Sequence, residues 1–233
     1  MSNLLLFGIT GQIGGEIADL FAKENIKVIG VSRTKYTHPK TQNIEIVEWD
    51  VFNKNPDILE KFGPFHRICW SQGKNTNDSI FNFQEEINLD LYKANCLYIL
   101  SSLNKLIKYN LLAPKARLCV ISSIWQNIAR QNKLSYCVTK SAIQGLINSL
   151  SIDLAKDDYL INAILPGALD TKMTINNLSK EQLDSLKKAT LFGRLSDIKD
   201  IAHMVNFLCN QKNTSITGQF INIDLGFSNA KII

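Results

Sequence analysis

Apolar residues fall in short blocks separated by longer segments of helical periodicity. The blocks lie at residues 3–7, 26–31, 44–51, 67–70, 116–122 and 159–165, each of strand length. Between them, I-A-D-L-F-A-K-E-N from Glu16 sets Ile17, Leu20 and Phe21 on one helical face. A longer helix covers residues 91–107, with apolar side chains on more than one face. Another starts at Leu134: Ser135 lies in its first turn, and Val138, Ile143, Leu146 and Leu150 repeat at helical intervals. Residues 172–192 are polar and helix-prone. A last helix follows in G-R-L-S-D-I-K-D-I-A-H-M-V-N-F-L, and a last strand in T-G-Q-F-I-N-I-D-L-G. Strands alternating with helices predict an α/β fold, a doubly wound parallel β-sheet with helices on both faces. At 233 residues, one domain spanning 1–233 with one substantial core accounts for the chain.

Composition narrows the classes of function. Apolar content of 45% and charged content of 20% are those of an ordinary soluble protein. The net charge of +5 is dispersed over helix faces, which argues against a nucleic-acid partner. No apolar run approaches the roughly 20 residues of a membrane span. The N-terminal M-S-N-L-L-L-F-G is too short for a secretory signal, so a cytoplasmic protein is expected. Cys69, Cys96, Cys119, Cys137 and Cys209 form an odd set without C-x-x-C spacing and read as reduced core residues. The three His are isolated, so no metal site is expected.

The first block runs into glycines at Gly8, Gly11, Gly14 and Gly15, followed by a helix. Strand, glycine turn and helix N-terminus together form a phosphate cradle, because small residues admit the pyrophosphate and free N–H groups face it. The second block ends in Ser32-Arg33, where NAD-binding folds place a carboxylate for the ribose hydroxyls. A guanidinium there suits a 2′-phosphate, although Arg33 also reads as a solvated loop residue. The third block ends at Asp50-Val51, and Asp50 reads equally as a turn residue. The fourth leads into Ser71-Gln72-Gly73, where Trp70 is either core or wall.

Tyr136 and Lys140 are four residues apart on the helix from Leu134, one turn apart on one face. An ammonium beside a phenol favours the phenolate, which would bring Tyr136 into the range of proton exchange with a substrate. Ser123 stands thirteen residues earlier at a strand end, where open α/β sheets bind ligands. A Tyr–Lys pair at this spacing occurs by chance on many helices; its combination with the glycine turn and Ser123 is more specific.

Together these residues make the chain resemble the short-chain dehydrogenase/reductase family over nearly its whole length. The resemblance implies a Rossmann-type sheet of about seven strands. It also implies hydride transfer between NADP(H), favoured over NAD(H) by Ser32-Arg33, and a small-molecule carbonyl or alcohol. Candidate substrates are a 3-oxoacyl thioester, a sugar or polyol, or a small ketone. By resemblance the catalytic set is Asn95, Ser123, Tyr136 and Lys140, with Asn95 holding a water in the proton relay. Implied cofactor contacts are Gly8, Thr10, Gly11, Gln12, Ile13 and Gly14; Ser32, Arg33, Asp50, Val51 and Gly73; Tyr136 and Lys140; and Pro166, Gly167, Leu169 and Thr171. Ser123, Trp125 and Tyr136 would meet the substrate, with Gln126 beside Trp125 in the pocket wall. Residues 172–192 fall where the family carries a mobile lid, and a homodimer or homotetramer is expected. The sequence departs from the family at Phe7 (usually Thr), Gln12 (Gly), Trp70-Ser71-Gln72 (Asn-Asn-Ala) and Leu225 (Gly). A non-catalytic nucleotide-sensing or scaffolding relative is the rival reading; such a protein would be expected to have lost Ser123, Tyr136 or Lys140.

Overall fold

The computed structural model describes residues 3–39, 42–171 and 179–229. Seven strands form one sheet in the order β3-β2-β1-β4-β5-β6-β7, and every neighbouring pair is parallel. They are β1 (Asn3–Phe7), β2 (Lys27–Ser32), β3 (Ile44–Glu48), β4 (Phe65–Trp70), β5 (Leu112–Ile121), β6 (Leu160–Pro166) and β7 (Phe220–Ile223). The helices are α1 (Gln12–Lys23), α2 (Glu85–Tyr92), α3 (Tyr98–Lys108), α4 (Leu134–Asp153), α5 (Lys180–Ala189) and α6 (Ile198–Leu208). Among the described residues, no helix is long and apolar enough to cross a membrane.

The period-2 geometry of strands explains how continuous apolar blocks serve two cores. In β1, Leu5 and Phe7 point into the core beneath α3 and α4, while Leu4 and Leu6 point into the core beneath α1 and α6. β5 repeats the division, with Leu118 and Val120 on the first side and Cys119 and Ile121 on the second. All five cysteines are free thiols, and only Cys137 is not fully buried. The strand order reverses at β1, so a crevice opens between the C-terminal ends of β1 and β4. Open α/β sheets bind ligands at such a switch point.

Several boundaries differ from the sequence expectation, each for a local reason. β3 stops at Glu48 because the Asp50 carboxylate accepts from the backbone N–H of Phe52 (3.1 Å) and Asn53 (3.3 Å), folding a turn. Asp50 thus serves as a turn residue. The helix expected over residues 91–107 begins at Glu85 and is interrupted by a π-helical turn at Lys93–Leu97. In α4, Ile143 and Leu146 are buried as expected, but Val138 is exposed on the side away from the sheet. The core face of α4 instead carries Ser135, Thr139 and Lys140, polar residues that an apolar count passes over. Leu225 takes a left-handed φ of +54°, a conformation that glycine adopts without a steric penalty.

Candidate active site

A cleft of about 1130 Å³ lies along the C-terminal ends of the central strands. It exceeds the roughly 300–1,000 Å³ of a typical ligand site, leaving room for two molecules side by side. Its floor at one end is the turn from β1 into α1. The helix begins at Gln12 without a side-chain cap, so its first N–H groups remain available, and Gly11, Gln12 and Ile13 line the cleft. Two glycines make this turn. Gly8 has φ of +80°, and a Cβ there would lie 2.5 Å from the Gln72 nitrogen. At Gly14 a Cβ would lie 2.2 Å from the Gly8 carbonyl oxygen. Gly14→Ala is expected to destabilise the fold by about 3 kcal/mol, the upper end of ordinary overpacking, and to weaken nucleotide binding. Urea melts and a nucleotide titration check this; native-like values in both would show that the turn yields.

Two departures from the family pattern prove to be one feature. Phe7 and Trp70 stack with ring centroids 5.6 Å apart and planes 1° apart, and Tyr98 meets Phe7 edge-on at 5.8 Å. The Trp70 indole donates to Ser102 Oγ at 2.8 Å, so Trp70 is core. Below this stack, Ser71 donates to the Phe7 carbonyl from both its N–H (3.0 Å) and its hydroxyl (2.7 Å).

At the other end of the cleft, Ser122 and Ser123 follow β5, and Tyr136 projects from the first turn of α4. The Ser123 oxygen accepts from the Trp125 N–H at 3.3 Å. Burial pushes the Tyr136 phenol above its usual value, and the facing Ser123 hydroxyl opposes that shift. Lys140 is buried, and its Nζ lies 5.6 Å from the centre of the Tyr136 ring. It donates to the Ile121 carbonyl at 3.2 Å. Burial pushes this ammonium down to about 8. Desolvation is the first cause at both groups, so the phenol stands above its ordinary range and the ammonium below its own.

Asn95 sits in the π-helical turn, which swings it out of the helical register toward α4; π-turns recur at functional sites. Its carboxamide is fully engaged. It accepts from the Lys74 N–H (2.7 Å) and donates to the Lys74 carbonyl and to Thr139 Oγ1, both at 3.0 Å. A Cβ on Gly73 would lie 3.1 Å from the Asn95 oxygen and 3.8 Å from the Lys140 ammonium. Asn95 thus braces the loop after β4 against the helix that carries Tyr136 and Lys140.

Of the residues singled out in the sequence, Gly11, Gln12, Ile13, Gly73, Ser123, Trp125, Tyr136, Pro166, Gly167, Leu169 and Thr171 line the one cleft. Gly8, Gly14, Asn95 and Lys140 stand behind it, and exposed Thr10 does not line it. Ser32, Arg33, Asp50 and Val51 lie at the ends of β2 and β3, outside the cleft, with the Trp49 N–H joined to the Ser32 carbonyl (3.1 Å). Arg33 is exposed. The Val51 side chain is core, and its carbonyl accepts from Lys105 at 2.8 Å. Gln126 is a correction, being buried away from the cleft where it accepts from Ser122 Oγ (2.8 Å).

Sequence reasoning missed Asp78, Arg130 and Lys133. The Asp78 carboxylate accepts from the Ser135 N–H at 3.0 and 3.3 Å and so caps α4. Lys133 donates to Asn75 Oδ1 (2.9 Å) and the Thr76 carbonyl (3.0 Å). These partners are 57 and 58 residues apart in sequence, so only the fold brings them together.

Residues 8–228 match a family model described as Enoyl-(Acyl carrier protein) reductase. The chain belongs to the short-chain dehydrogenase/reductase family. Among its relatives is the 3-oxoacyl-[acyl-carrier-protein] reductase FabG of Aggregatibacter actinomycetemcomitans, 24% identical across 96% of this chain and 98% of the relative. FabG of Rickettsia conorii is 26% identical across 95% of each. A solved short chain dehydrogenase family protein from Francisella tularensis superposes with a TM-score of 0.87 at 26% identity, covering 99% of this chain and 100% of that one. As a short-chain dehydrogenase/reductase, the chain is an NAD(P)-dependent oxidoreductase of CH–OH and C=O groups.

Proposed function

We propose that the protein reduces a small-molecule carbonyl with NADPH, or oxidises the matching alcohol with NADP. The observation that carries this reading is the convergence of Ser123, Tyr136 and Lys140 at one end of a cleft whose other end is an uncapped helix N-terminus. The nicotinamide supplies the hydride when bound. Ser123 holds the substrate oxygen, and protonated Tyr136 donates to it as negative charge develops. Lys140 places a positive charge behind the ring and holds the nicotinamide ribose. Asn95 keeps the Gly73-Lys74 loop and α4 in register, as its place in the relay requires. The glycine turn seats the pyrophosphate. Pro166, Gly167, Leu169 and Thr171 border the nicotinamide.

The preference for NADP rests on Arg33, which has no hydrogen-bond or ion-pair partner among the described residues. Ser32 cannot replace a carboxylate, because its hydroxyl is turned onto the Thr34 carbonyl (2.7 Å). Arg33→Asp is expected to weaken NADPH by roughly tenfold to a hundredfold, the loss of a charge-assisted contact, while NADH improves. Equal wild-type affinity for the two nucleotides would refute the preference.

The lid reading is supported by α5, whose Gln182 and Leu186 line the cleft while its other face is solvated. Of the few large apolar residues of 172–192, Leu183 and Leu186 are half-buried, while Met173, Ile175 and Leu178 lie outside the described residues. A homodimer or homotetramer is supported by exposed Leu89, Leu97, Leu100, Val138 and Ile152, an apolar surface on α2, the π-turn, α3 and α4 that a second copy would cover. No part of the reading calls for nucleic acid, metal or membrane, and a cytoplasmic setting goes with it.

A further inference from the structure

The substrate end of the cleft is polar and carries excess positive charge. Among the described residues its charged side chains are Asp78, Arg130 and Lys133. Asp78 is occupied in capping α4, and Lys133 in holding Asn75 and Thr76. Arg130 differs: its guanidinium lies 5.8 Å from the centre of the Trp125 ring and has no hydrogen-bond or ion-pair partner among the described residues. The ring beneath it is itself braced, edge-on against Phe227 at 5.9 Å and 78°. Through its backbone N–H, Trp125 is also joined to Ser123 Oγ. A planar cation thus lies over an aromatic platform two residues from the serine assigned to the reacting oxygen.

We infer that Arg130, lying over Trp125, is the specificity-determining residue of the cleft, and that it holds a carboxylate or phosphate group of the substrate. The guanidinium fork matches either anion with two parallel hydrogen bonds, which a lysine cannot do. The neighbouring wall agrees with such a ligand. Among the described residues, Asn75, Asn77, Gln131 and Asn132 offer carboxamides for a hydroxylated body beside Trp125 and Leu186. The cations Arg130 and Lys133 also repel each other: Lys133 is pushed down by burial first and by Arg130 second. An anion between them removes that repulsion. The substrate class is a small-molecule carbonyl compound with an anionic group. This inference rests on reading the cleft as the hydride-transfer site.

Two measurements test it separately from that reading. In the first, malonate and inorganic phosphate are titrated into protein saturated with NADP, so that the cofactor's own phosphates are already seated. Fluorescence of Trp125 reports binding, since Trp49 and Trp70 are buried in the core and Trp125→Phe serves as control. A saturable change is expected in the wild type, abolished in Arg130→Gln and weakened in Arg130→Lys, which keeps charge without the fork. In the second, NADPH oxidation is compared for matched pairs: acetoacetate with methyl acetoacetate, and dihydroxyacetone phosphate with dihydroxyacetone. The anionic member should have roughly tenfold to a hundredfold higher kcat/KM, a ratio that collapses in Arg130→Gln. Whichever pair shows the larger ratio separates carboxylate from phosphate. Equal anion binding by wild type and Arg130→Gln, or none by the wild type, overturns the inference. Turnover of the neutral members without preference also overturns it and leaves hydride transfer intact. Saturable, Arg130-dependent anion binding without turnover of any pair upholds the anion site and counts against the hydride-transfer reading.

Discussion

Tyr136→Phe is expected to lower carbonyl reduction by about 10²–10⁴-fold, the usual contribution of a positioned proton donor. NADPH affinity should change little, because in the proposed reading the glycine turn and the ends of the sheet hold most of the dinucleotide. The size of the effect follows from the state of the phenol. Burial raises the Tyr136 phenol, so in the proposed reaction it would act as an acid without first acquiring a proton. It contributes to the transition state and hardly to ground-state cofactor binding, so the loss should appear in kcat. A purified Phe variant with normal kcat and normal NADPH affinity would remove Tyr136 from the chemistry.

Lys140→Met is expected to abolish most activity while making the protein more stable at pH 7. The ammonium is buried and pushed down to about 8 from an ordinary 10.5, so the folded protein disfavours the charged form. The sign follows from proton counting. Between the two values the unfolded chain binds more protons than the folded one, so stability rises with pH across that window. Below pH 8 the full penalty of burying the charge is present, and above 10.5 it is gone. The gap corresponds to about 3 kcal/mol, an upper bound for the gain in Lys140→Met, since the Ile121 carbonyl loses its donor. Urea unfolding at pH 7 and pH 10 gives the comparison. The advantage of the Met variant should be largest at pH 7 and shrink at pH 10. A variant less stable at pH 7, or an advantage independent of pH, would mean that Lys140 is not held as a costly buried cation. Retaining such a residue is intelligible where its charge serves a reaction.

Much of this arrangement was legible in the sequence because local spacing encodes it. The strand blocks, the glycine turn and the Tyr136–Lys140 pair each depend on residues only a few positions apart, and geometry transmits such spacing directly. Lys140 behind the ring and Ser123 at the strand end followed from the same logic. What stayed hidden was long-range or polar. The π-turn that redirects Asn95 leaves no mark in an apolar pattern, since its bonds run to Lys74 and Thr139. Val138 looked like core because it is apolar, yet the α4 face toward the sheet is built from Thr139 and Lys140. The turn that the Asp50 carboxylate folds, burying Val51, is equally silent in the apolar pattern. Arg130 becomes informative only when the fold lays it on Trp125.

Hydride transfer from NADPH to a carbonyl carbon is tested most directly with nicotinamide deuterated at C4. The wild-type protein is supplied with the labelled NADPH and the four matched carbonyl compounds, and the products are analysed by mass spectrometry. One deuterium at the new carbinol carbon, at a rate that falls by about 10²–10⁴-fold in Tyr136→Phe, is the expected result. No NADPH oxidation with any of the carbonyls, or alcohol products without the label, would contradict it.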